Sequence, residues 1–134
     1  MKSQLLKALE NSRQYTLAVA AAMPEKQYHY KPVPDAFSFK ELMTHIGYGI
    51  HWWEENTIRS QESAWEPPAA KKKTEAIQYL DEAYQHLQQS IQQHEATPAL
   101  VDAFHNTLSH ITHHRGQAVT YLRSNGITPP EYAY

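Results

Sequence analysis

The amino-acid sequence predicts an all-α fold, a four-helix bundle. Three observations predict it. Four stretches of roughly 20 residues carry apolar side chains at helical spacing. Their ends fall on recognisable start and stop residues. The connectors between them are short, and no pair of alternating segments reads as strands.

The first stretch runs from about Lys2 to Met23. Leu5, Leu6, Leu9, Tyr15, Leu17 and Val19 supply its apolar positions, and Pro24 ends it. Tyr28 to Pro34 follows as an extended connector, marked by two prolines among aromatics. Ser38-Phe39-Lys40-Glu41 has the capping-box pattern, in which the serine accepts from an early backbone N–H and the glutamate reaches back. This second helix is expected to continue through Leu42, His45, Tyr48, Trp52 and Trp53 to about Ser60. Gly47 and Gly49 weaken it by about 1 kcal/mol each, and they allow close helix packing or leave room beside a site. Trp65-Glu66-Pro67-Pro68 closes that unit. A third helix, from about Thr74 to Glu95, places Ile77, Leu80, Tyr84, Leu87 and Ile91 on one stripe and Gln and Glu on the other face. Thr97-Pro98 starts the fourth helix, which is expected to run to Ser124. Asn125-Gly126 stops it, and Pro129-Pro130 prevents its resumption.

The bulk composition fits a single domain spanning residues 1–134. Hydrophobic residues make up 41% and charged residues 19%, which suits a globular chain. The formal net charge of -2 gives no basic footprint for nucleic acid. The one cationic run, Lys71-Lys72-Lys73, reads as a solvated linker. Absence of cysteine excludes disulfides, thiolate metal sites and a cysteine nucleophile, and suits a cytoplasmic location. Lys7, Glu10 and Arg13 interrupt any signal-peptide core, and no stretch has the length of a membrane span.

Histidine is the unusual residue, with nine copies. His110 and His114 are four apart on the fourth helix, so their rings share one side, a turn apart, and can converge on a metal. Ile111 stands where an HExxH motif would have its glutamate. Ala103, Thr107, His110, His114, Ala118 and Tyr121 follow one inward line, and His113 lies off it. Metal ligation competes here with a reading as hydrogen-bonded interior histidines. His45 lies on the inner stripe of the second helix and, taken alone, reads as a core histidine. His51 is on another face. His29, His86, His94 and His105 read as surface or connector residues.

Three passages resemble the DinB/YfiT superfamily. Phe37 to Ile46 is similar to its second-helix pattern, a serine start with a histidine two turns later. Ser109 to Gln117 resembles its HxxHHRGQ signature, and Leu122 to Pro130 resembles its closing turn. Tyr30-Lys31-Pro32 fits as well. The resemblance implies a four-helix bundle with a divalent metal, zinc or nickel first, held by His45, His110 and His114. It further implies a metal-dependent enzyme on a small-molecule substrate, by transfer of a low-molecular-weight thiol to an electrophile or by hydrolysis. A homodimer is also expected. A non-catalytic bundle that binds a metal or a partner is the rival class.

Other residues carry paired readings. Glu41 is a general base or, more simply, half of the capping box. Arg115 holds an anionic substrate or makes a surface ion pair. Gln117 orients a ligand histidine or is solvated. Tyr48, Trp52 and Trp53 pack in the core or wall an apolar pocket. The tail residues Tyr132 and Tyr134 cover the bundle mouth or pack at a dimer contact.

Overall fold

The computed structural model describes residues 1–132. It holds four α-helices, α1 (Lys2–Ala22), α2 (Phe39–Trp53), α3 (Lys73–Gln93) and α4 (Pro98–Ser124), with no strand among the described residues. α1 and α2 each pack against both α3 and α4, so the order around the bundle is α1, α3, α2, α4. The four-helix architecture is the one expected. One apolar cluster joins all four helices, with Val19, Phe39, Leu42, Ile46, Leu80, Leu87, Ile111 and Leu122 fully buried. Each such side chain stabilises the fold by roughly 1.5–3 kcal/mol. No helix among the described residues is long and apolar enough to cross a membrane.

The first turn of α2 is fixed by its own sequence and by the connector before it. Ser38 Oγ accepts from Glu41 N–H at 3.2 Å, and Glu41 Oε1 accepts from Ser38 N–H at 2.9 Å, which completes the capping box. The next two orphan donors are met by the connector: Phe39 N–H reaches the Tyr30 carbonyl and Lys40 N–H the Tyr28 carbonyl, both at 2.8 Å. The 28–34 segment, which follows a 3₁₀ turn at Glu25–Gln27 and runs through turns and bends where an extended connector was expected, therefore serves as an external cap. It sets the rotation of α2 and so the direction of His45, one turn further on.

α4 begins as its sequence directs, with Thr97 Oγ1 accepting from Leu100 N–H and proline at the first position. It ends at Gly126, whose φ of +72° is a left-handed backbone that glycine adopts without strain. The second helical unit differs from its expected form. Regular α-geometry stops at Trp53, and Glu54–Ile58 form a π-turn before the chain leaves at Arg59. Asn56 and Thr57 bond back to the carbonyls of Trp52 and Trp53, so side chains satisfy backbone groups within the widened turn.

Residues 61–72 have no regular structure, yet α2 pins them at several points. Trp52 Nε1 donates to the Ser63 carbonyl at 3.2 Å, Tyr48 Oη accepts from Glu66 N–H at 2.8 Å, and Thr44 Oγ1 accepts from Lys71 N–H at 3.0 Å. The linker thus lies as a wall along α2.

Candidate metal centre

His45 comes from α2, and His110 and His114 from consecutive turns of α4. The α2–α4 interface brings the three together. His45 Nε2 lies 3.1 Å from His110 Nε2 and 3.0 Å from His114 Nε2. The three ligand atoms fall within 4.8 Å of one another, a group that could hold a metal ion. For a tetrahedral ion with nitrogens at about 2.0–2.1 Å, the nitrogens would stand roughly 3.3 Å apart. The observed spacings are close to that.

The donor chemistry fits as well. Gln117 Oε1 accepts from His114 Nδ1–H at 2.9 Å, which leaves the Nε2 lone pair of His114 facing inward. A proton on His45 Nε2 can point at only one of its two neighbours. A divalent ion would take all three lone pairs. Burial, then the neighbouring imidazoles His114 and His110, lowers His45 to about 4. Burial, then His114 and His113, lowers His110 to about 4. Burial also lowers His114, against the opposing bond from Gln117. All three rings are neutral at pH 7, the form that ligates.

Gly49 makes the position of His110 possible. A Cβ there would stand 2.6 Å from His110 Cε1 and 2.7 Å from its Nδ1, contacts no side chain sustains. His110 Nδ1 is buried against this helix without a hydrogen-bond partner among the described residues. His110 is thus held by packing, and His114 by a hydrogen bond.

A cleft of about 380 Å³ reaches the group at His45. Phe37, Trp65 and the Pro67-Pro68 pair line it, together with Glu41 and Thr44. The ring of Phe37 is 5.0 Å from that of His45, and the ring of Trp65 is 5.5 Å from it on the linker side. Glu41 lies in the cleft, but its carboxylate caps α2. The hydrogen bonds from Ser38 lower its pKa, with smaller help from Lys31 and Lys40, so it is a weak base.

Other expectations resolve differently. His113 is exposed and outside the group, as its angular position required. Arg115 is not a surface ion pair, and its guanidinium bonds to α1 and Tyr132. It is 4% exposed, under α1, with Nη1 3.2 Å from Thr16 Oγ1 and 3.3 Å from Ser12 Oγ. Tyr132 packs edge-on against Tyr15 and beside Arg115; Tyr134 lies outside the described residues. Tyr48 and Trp52 are half-buried and pack edge-to-face with Trp65, which makes them supports of the cleft wall.

Sequence reasoning missed a second polar cluster. Glu54 is fully buried, and its carboxylate accepts from Arg59 Nε, Ser90 Oγ and His86 Nε2, each at 2.8 Å. His86 is therefore a partner of a buried acid and not a plain surface residue. Ile46, Ile50 and Glu54 are spaced by four, so an acid on the apolar stripe was the available signal.

A helical bundle with three inward imidazoles and no carboxylate among them defines a class of proteins equipped to take a metal ion between two helices. The sequence profile of the DinB superfamily matches residues 8–118, and the chain belongs to that superfamily. The match contains His45, His110 and His114; the closing turn at 122–130 lies beyond it. No curated protein matches the chain.

Proposed function

We propose that the protein binds one divalent metal ion through Nε2 of His45, His110 and His114, and that it is an enzyme acting on a small molecule. The convergence of three neutral imidazole nitrogens beside an open cleft carries this reading. Closed structural sites use four protein ligands, whereas three leave a position for a reactant. An ion bound there supplies a Lewis acid that activates water or presents a thiolate.

Between these chemistries we favour transfer of a low-molecular-weight thiol to an electrophile. Water activation gains from a nearby carboxylate base, and Glu41, the acid in the cleft, is committed to the helix cap. Without cysteine, the chain would take its sulfur from a cosubstrate. His45 belongs to both the cleft lining and the ligand set, Gln117 fixes the His114 tautomer, and Phe37 and Trp65 flank His45 with apolar rings.

The test is metal analysis of untagged protein, then an activity panel on the metal-loaded form. The panel pairs small thiols with haloaromatic and epoxide electrophiles, and runs ester and amide substrates alongside. The reading expects about one ion per chain and thiol-dependent turnover. Turnover of esters without thiol would move the assignment to hydrolysis. Absence of a stoichiometric ion would remove the metalloenzyme altogether.

A further inference from the structure

Two aromatic side chains flank His45 in full view of solvent, and neither is needed there for the core. Phe37 is 42% exposed and Trp65 41% exposed, and both are among the most exposed large apolar residues of the described chain. Mobile surface residues would explain this blandly, but both are anchored. The Phe37 carbonyl accepts from Tyr121 Oη at 2.8 Å. Trp65 is bracketed by Tyr48, whose hydroxyl bonds the backbone on both sides of it, donating to Ala64 O at 3.4 Å and accepting from Glu66 N–H at 2.8 Å. The Trp65 ring also packs at 4.7 Å from Tyr48 and 5.4 Å from Trp52. The result is a fixed pair of aromatic walls with an imidazole between them.

Two polar side chains of the same cleft, Thr44 and Glu41, have bonds already made. Thr44 Oγ1 donates to the Lys40 carbonyl at 2.8 Å and accepts from Lys71 N–H at 3.0 Å. Glu41 holds the N-cap at 2.9 Å and faces Lys31 Nζ at 4.0 Å. Pro67, Pro68, Ala69 and Ala70 add no side-chain donor, and no lysine or arginine lines the cleft. A ligand here would find mostly apolar surface and π-faces, no lysine or arginine in the lining to pair with an anionic group, and one carboxylate, Glu41, that Lys31 faces from outside the lining. Its volume suits a small-molecule ligand.

From this geometry we infer that the Phe37–Trp65 cleft is the binding slot for an uncharged, ring-bearing apolar molecule, and that it selects against carboxylates and phosphates. The inference rests on the proposed function for the role of that molecule, namely the electrophile that receives the thiol. The slot itself consists of protein groups and stands with or without the metal.

The test uses calorimetric titration of the full chain with two probes of one shape, 2-naphthalenemethanol and 2-naphthoate. Chelator-treated protein is titrated first, because a bound metal would attract the carboxylate for its own reasons. The alcohol is expected to bind at least tenfold more tightly than the carboxylate. Trp65→Ala and Phe37→Ala are each expected to weaken the alcohol tenfold or more. Val33→Ala, which changes an exposed apolar residue outside the cleft, should leave it unchanged. Circular dichroism of each variant separates slot loss from unfolding, and Trp65→Phe, which keeps an aromatic wall, should restore most of the affinity. Equal binding of the two probes, or full affinity in Trp65→Ala, would overturn the inference. Selective binding of the alcohol by a protein with no thiol transfer would keep the slot and discard the reaction. Thiol transfer to anionic electrophiles as readily as to neutral ones would keep the reaction and discard the slot.

Discussion

α2 and the π-turn that continues it carry a polar cluster on each of two sides, and the two are built on opposite principles. Toward α3, Glu54 is a buried carboxylate whose oxygens are filled by Arg59, His86 and Ser90. Toward α4, His45 meets His110 and His114, three neutral groups that present lone pairs to one another. The first cluster is closed: every acceptor has its donor, as a buried charge requires. The second lacks a positive centre among the described side chains. Polarity inside a bundle therefore marks a ligand site only where the bonding is left incomplete, and the two sides of α2 should respond differently to the same kind of damage.

The largest contrast is expected within α4. His114→Ala should reduce bound metal from about one ion per chain to almost none and remove activity with it, because two ligands hold an ion poorly. The bundle should stay folded, since its apolar cluster does not include the histidines. His113→Ala, on the exposed side, should keep its metal. Elemental analysis with thermal unfolding of both variants checks this. Equal loss in both would show a generally histidine-rich helix and no defined centre.

The two glycines of α2 sharpen the comparison. Gly49 faces His110, and Gly47 faces Tyr79 of α3, whose ring carbon would lie 2.7 Å from an added Cβ. Gly49→Ala should displace the His110 ring and weaken metal binding by about 10–100-fold, a loss of the size seen when support of a ligand is disturbed. Gly47→Ala should disturb the α2–α3 packing and cost about 1–3 kcal/mol of stability with little change in metal affinity. Competition with a chromogenic chelator and urea unfolding read the two effects separately.

On the closed side, Glu54→Ala should destabilise the fold by about 2–3 kcal/mol, because Ser90 and His86 lose a charged acceptor and Arg59 loses its partner. Bound metal should be unchanged. Burial pushes the Glu54 pKa up, but the bonds from Arg59, His86 and Ser90 outweigh it and leave the group below its ordinary 4.5. A carboxylate lowered in the folded state stabilises above its unfolded pKa and loses that contribution as pH falls through the folded value. The stability gap between wild type and Glu54→Ala should therefore be full at pH 7 and shrink as the pH drops below 4.5. A constant gap down to pH 3 would show that the carboxylate charge is not what matters.

These clusters were not equally legible in the sequence. Local signals survive translation into structure: the Ser38–Glu41 box, Thr97-Pro98 and Gly126 act within one turn of where they stand. The His110–His114 pair follows from helix periodicity, but the addition of His45 required the family resemblance, since periodicity places it on a stripe and not opposite a partner. Glu54 and Arg115 share one reason for being missed. Each stands four residues after a fully buried isoleucine, Ile50 and Ile111, and is itself buried. A charged residue on an apolar stripe signals an interior bond, but the partners lie on other helices. Ser90 and Ser12 are reached only once the packing order is known. The π-turn after Trp53 leaves no mark that helix propensity can register. The Trp65 wall depends on tertiary bonds from Tyr48 and Trp52 to an irregular linker, which no periodicity encodes.

The smallest effect expected is at Gln117, and it separates positioning from ligation. Its carboxamide oxygen accepts from His114 Nδ1–H at 2.9 Å, from three residues along the same exposed helix face. Solvent competes for that bond, so its loss should not affect folding. What it does is bias His114 toward the tautomer with a lone pair at Nε2, the nitrogen that faces His45. Gln117→Leu should therefore leave the melting temperature within about 1 °C, a surface change away from packing. Metal affinity should fall about tenfold, the low end for loss of a ligand's supporting bond. Gln117→Glu offers a stronger acceptor in the same place and should bind at least as tightly as wild type. The discriminating measurement is the ¹⁵N spectrum of the imidazoles in metal-free protein, where Gln117→Leu should shift the His114 tautomer population and leave His45 and His110 in place. Weakened binding with an unchanged tautomer would mean that Gln117 acts through something other than the proton it holds on Nδ1.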